Sequence, residues 1–244
     1  MSDYKVLLSK IEKGAHWCVL LRPIKYEREK LSLKECNALM EKCSVRLRGW
    51  DYPHLDRGCD GAPHTYDDSV QGYSDAMGHK EWWRLYRSGQ FVNKFNFNED
   101  AHITQERWDE IVRTRGITND NEISGVVSVI STLYRITEIY EFAVRLANND
   151  VFGDAVRIEI ECKNITGRVL FFWDVSRDFT FRGAYVAKTP NFTLPHEYNV
   201  SDLISKASQY AMNDTIEMLH QFNWFDVSDT VLKEDQRKLL NKAW

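Results

Sequence analysis

The chain has 244 residues, 43% hydrophobic and 13% aromatic, which is enough to bury a sizeable core and too apolar for a disordered chain. A formal charge of -4 and a pI near 6.0 exclude a globally basic protein, so nucleic acid could be met only through a local patch. Five cysteines, Cys18, Cys36, Cys43, Cys59 and Cys162, form no C-x-x-C pair, which indicates a reducing compartment. No apolar run suits a signal peptide or a membrane span, and no Gly/Ser-rich linker interrupts the chain. The expectation is a cytoplasmic protein folded as a single globular domain over residues 1–244.

In chain order, the pattern predicts a helix over 3–13, a strand over 16–22, and a helix over 32–43 opened by the capping box Ser32-x-x-Glu35. A strand over 44–49 and a long irregular connection from Leu55 to Lys80 follow. Residues 80–97 read in two ways. One is a hairpin turning at Ser88-Gly89, with Trp82, Tyr86, Phe91 and Phe95 on one face and Arg84 opposite Asn93; the other is a short helix ended by Gly89 before a strand. Helices are predicted over 104–114 and over 122–148, the latter capped by Asn119 with Glu122 three residues on. The first half of that long helix is apolar nearly all round. Its second half carries Arg135, Glu138, Glu141 and Arg145 as a stripe read as solvated. Strict alternation over 156–163 predicts a half-buried strand, a turn at 164–167 and a returning strand over 168–174, with another strand over 180–187 and helices over 201–222 and 228–243. The fold class is α+β: an antiparallel sheet crossed by a long central helix, with C-terminal helices.

Candidate chemistry gathers in one phrase, Arg46 to His54. On a strand, Arg46 and Arg48 would share a face and hold an anion with forked donors; Trp50 and Tyr52 would supply apolar walls, and Asp51 and His54 orientation. The structural alternative is an Arg48–Asp51 pair closing a tight turn. The 55–80 connection holds Asp56, Cys59, Asp60, His64, Asp67, Asp68, Asp75 and His79, residue types that bind zinc or a hard cation, though at no standard spacing. Asp154 with Glu161-x-Lys163 has the residue types of a divalent-metal nuclease. The stretch containing Lys80, Trp82, Trp83, Arg84, Tyr86, Arg87 and Lys94 could stack single-stranded bases. Phosphate-binding glycine loops, G-x-S-x-G and H-E-x-x-H are absent from the sequence.

Two phrases, Val45-Arg46-Leu47-Arg48-Gly49-Trp50-Asp51-Tyr52-Pro53-His54 and Trp83-Arg84-Leu85-Tyr86-Arg87-Ser88-Gly89-Gln90-Phe91, resemble ones found in uncharacterised bacterial proteins. Some of these accompany a Schlafen-like, AlbA-type nucleotide- or DNA-binding domain. The resemblance implies a bacterial setting connected with nucleic acid or defence, and it carries no catalytic residues. The expected function is a non-catalytic binding or accessory protein that recognises a protein partner or a small anionic ligand through Arg46, Arg48, Trp50, Asp51, Tyr52 and His54. The alternative is a metal-dependent hydrolase or nuclease.

Overall fold

Alternation of apolar and polar residues lays out the largest element, a seven-stranded sheet. The structure, a computed structural model, describes residues 4–58, 60–117, 123–178, 181 and 183–242. The sheet strands are β1 (His16–Pro23), β2 (His64–Tyr66), β3 (Ser69–Ala76), β4 (His79–Tyr86), β5 (Phe91–Asn96), β7 (Ala155–Lys163) and β9 (Asn191–Asn199), in the order β2-β3-β4-β5-β1-β7-β9. Every pairing in this sheet is antiparallel. On β1, Trp17, Val19 and Leu21 enter the main core; on β7, Val156, Ile158, Ile160 and Cys162 do the same. That face is covered by α2 (Leu33–Cys43), α5 (Val129–Ala147), α7 (Val200–His220) and α8 (Asp229–Leu240). The opposite face carries α1 (Tyr4–Lys13), whose Leu7 and Ile11 pack on Tyr73 and Trp82. The fold class is therefore α+β, as the pattern predicts. Among the described residues no helix is long and apolar enough to cross a membrane.

The six expected helices correspond to α1, α2, α4 (Gln105–Thr114), α5, α7 and α8. Ser32 does form the reciprocal capping box with Glu35. The long helix starts later than expected. Gly125–Ser128 form strand β6, and Ser128 caps α5 by accepting the Ser131 N–H at 3.2 Å. A fully apolar run fits a buried strand or a buried helix equally, and the partner decides between them. Here the partner is β8 (Arg168–Phe171), which pairs with β6 in parallel instead of returning along β7. The expected cap residues Asn119 and Glu122 lie outside the described residues. Of the strand expected over 180–187, only Val186 makes a bridge, to Val169, and positions 180 and 182 are also outside. Two short helices complete the order, α3 (Glu99–His102) and α6 (Val175–Asp178).

Three further expectations are corrected. Residues 44–49 form no strand, only a bridge between Val45 and Tyr52. The 55–80 connection is irregular at its start, but its later part is sheet, since it contains β2 and β3. Residues 80–97 form the hairpin, but Tyr86 N–H donates to the Gln90 carbonyl at 2.9 Å across a three-residue loop with Gly89 at φ +82°. One extra loop residue shifts the register, so Trp83 and not Arg84 faces Asn93. Trp82 is thereby turned away from Phe91 and Phe95, onto α1.

The fit under Trp83 is close. A Cβ at Gly72 would lie 2.5 Å from Trp83 Cζ2, and Trp83 is fully buried. Gly72→Ala is expected to cost about 1–3 kcal/mol through overpacking, read from the urea midpoint. An unchanged midpoint would mean that the indole yields freely.

Candidate functional site

The Val45–Tyr52 bridge closes a loop that sends its two arginines in different directions. Arg46 is exposed and makes no hydrogen bond or ion pair among the described residues. Arg48 turns inward to Glu138 of α5, with Nε to Oε1 at 2.8 Å and Nη2 to Oε2 at 2.5 Å. Burial disfavours the Arg48 cation, but the Glu138 carboxylate outweighs it and holds the guanidinium pKa above its usual value. The shared arginine face therefore does not form, because the loop is not a strand. Nor does the Arg48–Asp51 pair.

Asp51 instead accepts from His54 Nδ1 at 2.6 Å and lies 3.5 Å from Arg57 Nη1. Burial pushes the Asp51 carboxyl pKa up, yet the His54 hydrogen bond and the nearby cations bring it net below the usual carboxylate value. Trp50 stacks on the His54 ring at 3.9 Å and meets His79 edge-on at 5.3 Å. Tyr52 is not a wall of an open site. It is fully buried, edge-on to Phe95 and Phe142.

A second histidine–carboxylate pair lies beside the first. His79 Nε2 is 2.6 Å from Glu81 Oε2, and its Nδ1 is 2.8 Å from the Asn98 amide oxygen. Glu81 Oε1 also accepts from Asn93 Nδ2 at 2.9 Å and from the His54 N–H at 3.3 Å. Burial works to raise the Glu81 pKa, but His79, Arg135 and His54 together lower it below the usual value. Around these groups, Trp50 Nε1, the Tyr52 hydroxyl and Asn93 Oδ1 are buried without a hydrogen-bond partner among the described residues.

The stripe on α5 read as solvated is in fact interior: Arg135 is 6% exposed and Glu138 0%. Arg135 lies over the rings of Phe95 at 4.8 Å and Tyr52 at 5.4 Å, and its Nη1 is 3.6 Å from Glu138. None of its five N–H donors makes a hydrogen bond among the described residues. Its side chain lines a cavity of about 30 Å³ together with Arg48, Asn98, Glu99 and Ser131. Glu99 is buried and accepts the Ser128 N–H at 3.0 Å; that burial pushes its carboxyl pKa up, with Arg168 opposing. His79 touches the same region through Asn98.

The other candidate chemistries are not assembled. Asp154 precedes β7 while Glu161 and Lys163 sit near its far end, roughly 23 and 30 Å away along an extended chain at about 3.3 Å per residue. Glu161 pairs with Lys163 at 2.9 Å, and Arg157 with Glu159 and Glu197, as a ladder on the wet face. Among the described residues no three metal-ligating side chains come together, and Cys59 lies outside them. The two tryptophans of the aromatic stretch are not exposed for stacking, while Tyr86 is partly exposed. Trp83 is in the core, Trp82 is under α1, and Arg84 is held over Tyr66 at 4.4 Å and Trp82 at 5.2 Å.

Comparison of the chain with family models, curated proteins and solved structures yields no match. Of the six residues in the sequence phrase, Trp50, Asp51 and His54 come together, Arg48 reaches the cavity, Tyr52 lies buried with its ring under Arg135, and Arg46 takes no part. Arg135, Glu138, Glu99, His79 and Glu81 are the additions. A signal for two of them exists in the sequence: Arg135 and Glu138 are flanked by Ile136, Ile139, Tyr140 and Phe142, which leaves that helix segment little polar surface for a wet face.

Proposed function

We propose that the protein is a non-catalytic binding or accessory protein that holds a small anionic ligand at Arg135. The observation that carries this reading is a guanidinium more than nine-tenths buried and facing a polar cavity, whose donors make no hydrogen bond among the described residues, its ion-pair partner Glu138 standing 3.6 Å from Nη1. Buried polar groups are rarely left so, and a cation at that depth calls for an acceptor in the cavity. Asn98 and Ser131 add neutral partners on the same lining. The size of the cavity supports one charged group and not a whole nucleotide, since sites that enclose drug-sized ligands measure about 300 Å³ or more. Arg48, a quarter exposed, marks the side on which the rest of the ligand leaves. The likeness of the two sequence phrases to bacterial proteins that accompany Schlafen-like domains supports an accessory role beside such a domain, in the cytoplasm.

Thermal unfolding with formate, acetate and nitrate tests the reading. A ligand at a hundredfold its Kd stabilises the folded state by about 2.7 kcal/mol. The wild type is expected to gain stability with at least one of these anions, and Arg135→Gln to gain none. Equal gains in the two proteins, or none in the wild type, would remove the proposal.

A further inference from the structure

We infer that the cavity at Arg135 takes the carboxylate end of a small organic acid together with one proton, the proton residing on Glu99. The inference rests on the anion site proposed above and adds the chemistry of the ligand and its coupling to pH.

The cavity's volume of about 30 Å³ leaves room for one small group beside Arg135. Glu138 already illustrates how this lining meets a carboxylate: Arg48 grips it with two N–H donors while Arg135 approaches from the side. A ligand carboxylate would complete the donors that Glu138 leaves over on Arg135.

Glu99 sits on the same lining. The charged groups that face it are Arg48 from the loop, Arg135 across the cavity from α5, Arg168 from β8, and Asp100 on its own helix. Among the described residues no side-chain donor reaches either of its oxygens; the one hydrogen bond from another residue is the Ser128 backbone N–H. Burial already favours the protonated acid there. A second carboxylate in so small a space makes two like charges, and the pair relieves this by holding one proton between them. Protonated Glu99 then presents an O–H donor to the bound carboxylate. By linkage, whatever factor the ligand adds to proton affinity at Glu99, the proton adds to ligand affinity. Affinity is therefore highest at low pH and falls as pH rises through the Glu99 pKa of the empty site.

The test is calorimetric titration with formate, which stays ionised throughout, from about pH 5 to pH 9, in paired buffers of different ionisation enthalpy. The wild type is expected to take up as much as one proton per formate and to lose up to about tenfold in affinity per pH unit within that window. Glu99→Gln, which keeps the acceptor for Ser128 and mimics the protonated acid, is expected to bind formate with a flat pH profile and no proton uptake. Sulfate is expected not to bind either protein. The inference is overturned if Glu99→Gln keeps the wild-type slope, if wild-type binding is independent of pH with no uptake, or if sulfate binds in place of formate. Should Glu99→Gln fail to fold, the carboxyl carbon resonance of Glu99 in the wild type decides: its pKa must rise when formate is added, and an unmoved pKa overturns the coupling. Absence of formate binding at every pH overturns the carboxylate class while nitrate still stabilises the wild type, and absence of binding by formate, acetate and nitrate alike removes the anion site itself, a result separate from binding without a proton.

Discussion

Arg48→Ala is expected to lower the stability of the fold by about 3–5 kcal/mol, because it strands the Glu138 carboxylate in the interior. Glu138 is fully buried, and Arg48 supplies both of its hydrogen bonds, at 2.8 and 2.5 Å. Arg135 remains 3.6 Å away and offsets part of the loss, which puts the expected value toward the lower end of that range. Arg46→Ala, two residues earlier on an exposed side chain, is expected to stay within about 0.5 kcal/mol. The double variant Arg48→Met with Glu138→Leu should recover only part of the loss, since it removes the stranded carboxylate but also the ion-pair partner of buried Arg135. Urea denaturation of the four proteins at neutral pH checks this. A loss under about 1 kcal/mol for Arg48→Ala would mean that water or movement of α5 solvates Glu138.

The contrast between those two arginines marks how far the sequence could be read. The strand at 156–163 was legible because a period of two is satisfied by one buried face alone, and α2 because Ser32 and Glu35 contact each other within a single turn. The partner of Arg48 lies 90 residues away on another element, and no local pattern announces it. Charges three apart on a helix by themselves fit a wet face and an interior ion pair alike, and only the apolar neighbours Ile136, Ile139, Tyr140 and Phe142 lean toward the interior. Which one Arg135 and Glu138 form depends on the loop that covers α5. The Trp82 and Trp83 faces turned on a single loop residue, and the helix start on whether β8 stood beside Val126 and Val127. Asp51 and His54 were legible as members of one polar loop, but the pair expected there, Arg48 with Asp51, gives way to Asp51 with His54. Their neighbours His79 and Glu81 were not, because the stretch around His79 was read as loop and its side chains had no assigned direction.

That second pair leads to the other large expected effect, a collapse of stability in acid that runs through Glu81. Glu81 is fully buried and accepts from His79, Asn93 and the His54 N–H, so Glu81→Leu leaves three donors without an acceptor and is expected to cost about 3–5 kcal/mol at pH 7. The pH dependence follows from the direction of the shifts. Glu81 and Asp51 are both held below their ordinary values in the folded protein. Each therefore contributes stability that is complete above the unfolded-state values of about 4 and is lost as pH falls through the lower folded values. Glu99 has the opposite sign: with its folded value raised, its contribution is complete below about pH 4 and is lost as pH rises through that value. The wild type should thus lose stability steeply below about pH 4. Glu81→Gln should start lower at neutral pH and fall less steeply in acid, so that the two curves of unfolding free energy against pH converge there. Glu99→Gln should be no less stable than the wild type at pH 7 and should keep the full acid slope. Urea denaturation from about pH 7 down to pH 2.5 measures all three proteins, and parallel curves for the wild type and Glu81→Gln would place the acid-sensitive proton on some other group.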